Sequence, residues 1–277
     1  MKTIPVILSF NHIELTKRCV NSVLGHFTTR PIYLVHNGSQ TEIVNELKAE
    51  FPQVEHLVLE VNQGFSGGAN HGLRTAFSSN VERVLFVTND TTLEKLSFDE
   101  WPGYVSDSYI MAPRIERRKT GTIDSLGAKV DFFKGKLIHH NLENQADVND
   151  PGFYVPGTAF LISKKAWDKI GEFDASLGTY WDDVDYSLRA RAQGVSLDLL
   201  PSIVLNHGIG KTCHGNPLYT LYHFHRNRRR VTWRHAKKGH KLVFGAVYGY
   251  DMARKIFKFT LNHDPIRLKF VLRALLS

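Results

Sequence analysis

Pro5-Val6-Ile7-Leu8-Ser9-Phe10, then the amphipathic run Glu14 to Phe27, then Ile32-Tyr33-Leu34-Val35-His36, is the stretch on which the fold of this chain turns. A short apolar, β-branched run bounded by polar residues reads as a strand, and a longer run with apolar residues three and four apart reads as a helix. The pattern continues. Glu42 to Phe51 predicts a second helix, His56 to Val61 a third strand, Ala69 to Phe77 a third helix and Arg83 to Thr88 a fourth strand. Near-continuous apolar strands alternating with helices imply an α/β fold, a mostly parallel sheet covered on both faces. Ligands of such sheets bind beyond the carboxyl ends of the strands. Those ends are Phe10-Asn11-His12, His36-Asn37-Gly38-Ser39, Asn62-Gln63-Gly64-Phe65 and Asn89-Asp90-Thr91, dominated by polar and turn-forming residues, so the edge suits a polar ligand.

Further along, Tyr180-Trp181-Asp182-Asp183-Val184-Asp185 places three carboxylates within four positions, ahead of a helix-like run that ends at Gly194. Neighbouring carboxylates repel, so ionising both carries a cost. A site that deprotonates a hydroxyl or holds a cation uses such a cluster. A helix N-terminus also favours acids through its dipole, and these residues alone leave both readings open. Asp185 and Arg189, four apart, are expected to cap and pair along the helix.

Taken in order, Val6 to Asn11, Val35-His36-Asn37-Gly38-Ser39, Asn62-Gln63-Gly64-Phe65-Ser66-Gly67-Gly68-Ala69-Asn70 and Thr88-Asn89-Asp90-Thr91 resemble the motifs of family 2 inverting glycosyltransferases of the GT-A fold. The rhamnosyltransferase-like branch of bacterial surface polysaccharide synthesis is the nearest in pattern. The resemblance continues through Tyr154 to Ile162, Ile170-Gly171-Glu172-Phe173-Asp174, the acidic cluster and Asn206-His207-Gly208, covering roughly residues 4 to 210.

The resemblance implies a GT-A catalytic domain over residues 1–215 and a basic amphipathic helical tail over 216–277. It implies transfer of a sugar, rhamnose among the candidates, from a nucleoside diphosphate to a hydroxyl of a glycan or lipid-linked acceptor, with Mn2+ or Mg2+ as cofactor. Asp183 is then the base and Asp182, in place of the usual Glu, supports it. Asp90 and His207 would hold the metal. Ser9, Phe10, Asn11, His36, Asn37, Gly64, Gly67, Asn70, Asn89 and Gly157 would bind the donor. Glycines at Asn62 to Gly68 are expected to make a flexible turn that opens a helix, whose N-terminus attracts a diphosphate. Two positions depart from the family pattern. Thr88 stands where an acid or Asn is usual, leaving most of the metal binding to Asp90, which at a strand end is otherwise a turn former. His36 replaces an Asp that contacts the nucleobase; a neutral imidazole can still accept a bond from a pyrimidine. Uracil and thymine donors are favoured and guanine stays open.

Whole-chain properties agree. Two cysteines, Cys19 and Cys213, form no disulfide framework and suit a reducing cytosol. The N-terminus runs straight into the first strand without a secretory pattern, and no apolar run approaches the ~20 residues that span a bilayer. The chain is expected on the cytoplasmic side, peripheral to the membrane. His12, His36, His139, His140 and His214 read as surface or locally bonded. Arg114 to Asp150, rich in Lys, Gly, Asn and His, is expected to hold a small strand pair and a mobile loop near the acceptor. Residues 216–277 carry 14 Lys and Arg against Asp251 and Asp264, so the rest of this +8 chain sums to −4. Lys255-Ile256-Phe257-Lys258-Phe259 and Ile266 to Arg273 look like basic amphipathic helices, able to lie on an anionic membrane or to pack on the core. Arg226-Asn227-Arg228-Arg229-Arg230 among aromatics also fits nucleic-acid binding, but that would leave the acidic sheet edge unexplained, and no nucleic-acid partner is expected. A nucleotidyltransferase and a nucleotide-sugar-binding pseudoenzyme are the remaining alternatives.

Overall fold

The computed structural model describes residues 2–98, 106–117, 122–140, 147–208 and 216–277. Cys213, His214 and residues 118–121 and 141–146 of the Arg114–Asp150 segment lie outside the described residues. The opening elements follow the alternation read above: β1 (Thr3–Ser9), α1 (Ile13–His26), β2 (Tyr33–Asn37), α2 (Thr41–Glu50), β3 (Glu55–Leu59), α3 (Gly64–Ser78) and β4 (Arg83–Thr88). β1 pairs parallel with both β2 and β4, and β2 with β3. Every residue of β1 is buried because its two faces meet different helices. Ile4, Val6 and Leu8 share a cluster with Ala69, Leu73 and Ala76 of α3. Ile7 on the other face joins Cys19, Val20 and Val23 of α1 and Leu47 of α2.

The remaining elements are β5 (Thr91–Lys95), β6 (Tyr109–Arg117), β7 (Ile123–Ser125), β8 (Ala128–Asp131), β9 (Lys136–His139), β10 (Phe153–Tyr154), β11 (Ala159–Ser163), α4 (Lys164–Ile170), α5 (Asp182–Ala192), β12 (Ser196–His207), α6 (Pro217–His235), α7 (Lys238–Leu261) and α8 (Pro265–Leu276). The main sheet runs β3-β2-β1-β4-β11-β6-β12-β5, with β7 on β6; β10, β8 and β9 form a second, small sheet. The strand pair expected between Arg114 and Asp150 is β8–β9, antiparallel. Beyond β4 the sheet is mixed, since β11 runs antiparallel to β4 and β6, and β5 antiparallel to β12.

One boundary differs from expectation for a physical reason. α3 starts at Gly64, not near Ala69, so the glycines sit inside a helix rather than in a flexible turn. A Cβ on Gly68 would stand 2.5 Å from Leu8 Cδ1, and one on Gly72 2.6 Å from Val6 Cγ1. Propensity puts glycine outside helices; here the close approach of α3 to β1 and β2 demands it.

Candidate active site

The first half of the site is a tight turn. β4 ends at Thr88 and β5 begins at Thr91, leaving Asn89-Asp90 between them. Thr88 Oγ1 donates to Asp90 Oδ1 at 2.7 Å and lies 3.1 Å from the Thr158 carbonyl. The threonine that departs from the family pattern therefore bonds and aims the Asp90 carboxylate. Antiparallel pairing of β5 with β12 sets Thr91 opposite His207, and Gly208 N donates to the Asp90 carbonyl at 2.9 Å. His207 Nε2 consequently stands 3.4 Å from Asp90 Oδ2. On its other side, His207 Nδ1 lies 3.4 Å from Oδ2 of Asp124 in β7, whose Oδ1 accepts from Arg117 Nε at 2.9 Å. Burial opposes a charged imidazole, but the hydrogen bonds and charges of Asp90 and Asp124 outweigh it and raise the His207 pKa.

The second half is the acidic cluster, and tertiary contacts divide its three carboxylates into separate roles. Tyr180 and Trp181 both take left-handed backbone, φ 71° and 67°, immediately before α5. Such conformations persist only where the surroundings over-determine them. Trp181 is buried among Tyr154, Leu177, Val184 and Val231. The Asn227 amide of α6 donates to the carbonyls of Leu177, Thr179 and Tyr180 at 2.8, 2.9 and 2.8 Å. Held this way, the turn presents Asp183, whose Oδ2 accepts from Gly157 N at 3.0 Å and whose Oδ1 accepts from Val184 N at 2.8 Å. A Cβ on Gly157 would stand 2.9 Å from Phe65 Cζ and 3.4 Å from the Asp183 Cβ.

Burial raises the Asp183 pKa against the opposing pull of these N–H groups and of His139. Asp182 is pushed well above the usual carboxylate range, by burial first and then by the Asp183 charge. The pair is thus poised to gain a proton, which suits a general base. Asp185 behaves oppositely. It is fully buried, yet Arg189 Nε at 2.9 Å, Arg234 Nη1 at 2.7 Å and His235 Nε2 at 2.8 Å surround it. Against the penalty of burial, His235, Arg189 and Arg234 hold its pKa down to about 2. It ties α5 to α6, and the pairing with Arg189 read from the sequence is present.

Residues 157 and 158 join the halves. Gly157 N holds Asp183, and the next carbonyl, Thr158, accepts from Thr88 N at 3.0 Å. The proposed base and the Asp90–His207 pair therefore share one edge of the sheet.

Many residues expected at the donor do something else. Ser9, Thr16 and Asn89 form a buried cluster, with Ser9 Oγ 2.8 Å from Thr16 Oγ1 and Asn89 Nδ2 2.8 Å from the same oxygen. His36 is buried and stacked on His56, its Nε2 2.9 Å from His56 Nδ1. Burial, followed by the charges of His56 and Lys48, lowers its pKa to about 4, so it is neutral and enclosed against His56. Asn37 donates to the Gly64 carbonyl at 2.8 Å and accepts from Gln63 N at 2.9 Å. Asn70 bonds both the N–H and the carbonyl of Phe173, at 2.8 and 2.9 Å. Gly67 is buried, where a Cβ would stand 2.5 Å from the Gln63 Cβ. The start of α3 is also closed to an anion: Gly64 N donates to Asn62 Oδ1, Phe65 N to Thr179 Oγ1 and Ser66 N to the Gly178 carbonyl, at 2.8, 3.1 and 2.8 Å. Gly64 itself, with φ +71°, lies against Gly178, where a Cβ would stand 2.7 Å from the carbonyl oxygen. Phe10 and Asn11 stay partly exposed at the end of β1, with Asn11 Oδ1 accepting from Gln40 N at 3.1 Å.

Asp124, Asn227, Arg234 and His235 were not singled out for the site from sequence. Asn227 and Arg234 stand in the basic tail and Asp124 in the Arg114–Asp150 segment, and these residues become neighbours of the site only through folding.

Comparison with known proteins places this geometry. The family model for glycosyl transferase family 2 matches residues 6–171. The dTDP-rhamnosyl transferase RfbF of Shigella flexneri is 23% identical over 209 residues, 74% of this chain and 68% of that protein. Two other relatives are covered over only 57% and 62% of their length. Among solved structures, GalNAc-T7 with UDP, GalNAc and Mn2+ superposes with a TM-score of 0.60 at 14% identity, over 83% of this chain and 47% of that one. The mannosyltransferase PcManGT of Pyrobaculum calidifontis, in complex with GDP-Man and Mn2+, gives 0.54 at 13% identity over 99% and 73%.

Proposed function

This chain belongs to glycosyl transferase family 2 and is a glycosyltransferase of the GT-A fold, and from that premise we propose an inverting transfer of a hexose, rhamnose foremost, from a nucleoside diphosphate to a glycan or lipid-linked hydroxyl. The observation that carries it is the Gly157–Thr158 link, which sets Asp183 and the Asp90–His207 pair on one edge. Asp183 takes the proton of the acceptor hydroxyl as its oxygen bonds to the anomeric carbon. The bond from that carbon to the diphosphate breaks on the opposite face, and its electron pair leaves with the nucleoside diphosphate. Burial and the Asp183 charge push Asp182 toward its protonated form, which eases the repulsion between the two carboxylates.

The donor set fits a divalent cation. Asp90 offers a carboxylate oxygen and His207 an imidazole nitrogen, while Asp124 on Nδ1 leaves Nε2 turned toward Asp90. Among the described residues no three His, Cys, Asp or Glu side chains gather as a cage, so phosphate oxygens and water would complete the shell. A cation held there offsets charge on the leaving diphosphate. Manganese tolerates the nitrogen better than magnesium does. dTDP and UDP donors are favoured; the buried His36 gives no ground for choosing the base. The acceptor belongs to cell-surface polysaccharide synthesis at the cytoplasmic face. The catalytic unit extends over residues 1–215, with α6 bracing it.

Thermal melting with UDP, dTDP and GDP, each with and without Mn2+, tests the reading. One nucleotide should raise the melting temperature in a metal-dependent way, since a ligand that binds only the folded state stabilises it. Asp183→Asn should keep that shift and lose transfer by about 10²- to 10⁴-fold. No shift with any nucleotide at millimolar concentration would sink the proposal.

A further inference from the structure

The C-terminal helices hold an apolar face that the catalytic reading does not use. α7 buries Phe244, Tyr248 and Met252 against Val271 and Ala274 of α8, and Leu221 and Tyr222 of α6 pack on the same cluster. Four-residue spacing puts Phe244, Tyr248 and Met252 on one side of the helix. The opposite side is also apolar. Leu242, Val243, Tyr250, Phe257 and Leu261 are 79, 45, 67, 65 and 61% exposed. At about 100° per residue they fall within about 100° of arc, turned away from the buried side. An exposed aliphatic and aromatic ridge spanning the length of a 24-residue helix is unusual on a monomer and marks a docking surface.

Charge says what covers it. Arg254 and Lys258, both exposed, border the ridge. Residues 238–276, α7 and α8 with the turn between them, hold eight Lys and Arg against Asp251 and Asp264, a net of +6. Two copies meeting through this face would oppose like charges. A nucleic acid would answer the charge but not the aliphatic ridge of Leu242, Val243 and Leu261. An anionic bilayer satisfies both, with apolar side chains at the acyl boundary and basic ones among the headgroups. Among the described residues no helix is long and apolar enough to cross a membrane, so the helix would lie along the surface. We infer that the outer face of α7, with Arg254 and Lys258 at its border, docks this protein on anionic phospholipid.

Flotation of the full chain with vesicles tests this apart from any transfer activity. The protein should float with vesicles containing phosphatidylglycerol and not with phosphatidylcholine alone, and 0.5 M salt should release it on the order of a Debye-screening effect. Phe257→Glu and Tyr250→Glu should each weaken partitioning about tenfold or more. Arg254→Glu with Lys258→Glu should weaken it about fivefold per removed positive charge. These side chains are exposed, so far-UV circular dichroism and melting should match the parent. Three results would overturn the inference: no flotation with phosphatidylglycerol, equal flotation with phosphatidylcholine alone, or a dimer that Phe257→Glu splits without any vesicle binding.

Discussion

At the residue scale, His207, proposed as a metal ligand, is oriented by its neighbours. Its two nitrogens face different carboxylates, Asp90 and Asp124, each at 3.4 Å. With Asp124 accepting from Nδ1, the ring is held with Nε2 toward Asp90, as an outer carboxylate orients a ligating imidazole. In the proposed metal site Asp124 is thus a positioning residue. Asp124→Asn should weaken Mn2+ binding about 10- to 100-fold, read as a Mn2+ titration of the nucleotide-dependent melting shift, while nucleotide binding at saturating metal stays unchanged. An unaltered Mn2+ midpoint would show that Asp124 merely pairs with Arg117.

At the element scale, α5 and α6 are joined by charge. Asp185 is buried and, among the described residues, bonded by Arg189, Arg234 and His235. Asp185→Asn leaves Arg189 and His235 without this counter-charge, Arg234 keeping Asp174, and should cost about 3–5 kcal/mol, as breaking a buried pair does. Denaturant unfolding at pH 7 measures it. The pH dependence has a definite sign. The folded pKa, about 2, lies below the ordinary 3.8, so the stabilisation is complete above about pH 4 and drains away as pH falls toward 2. The parent should lose stability in that window and Asp185→Asn should lose less. Parallel acid curves for the two proteins would contradict the assignment.

On the scale of the molecule, the C-terminal segment is not one thing. α6 braces the active site through Asn227, Arg234 and His235, whereas α7 turns one face inward and one outward. Deleting residues 217–277 should therefore abolish folding, because Trp181 and Val184 lose Val231, and the segment from Leu177 to Tyr180 loses its three hydrogen bonds from Asn227. A cooperative melting transition in that truncated chain would refute the bracing role.

The strand–helix alternation from Thr3 to Thr88 and the polar edge were legible in the sequence, because local period depends on residues near one another in the chain. Asp183, Asp90 and His207 were singled out by the order of motifs, but the meeting of His207 with Asp90 rests on the pairing of β12 with β5, two distant segments. The mixed second half of the sheet was not legible, because antiparallel pairings of β11 and β12 rest on contacts between distant segments. Nor were the roles of glycine and asparagine. Gly68 and Gly72 serve helix packing, and Asn37 and Asn70 bond backbone across 26 and 103 positions. Side-chain type announces that a polar edge exists. Which polar groups stay open to a ligand and which are consumed in holding the edge together is decided by three-dimensional proximity, because a buried hydrogen-bonding group must find its partner wherever the fold places one.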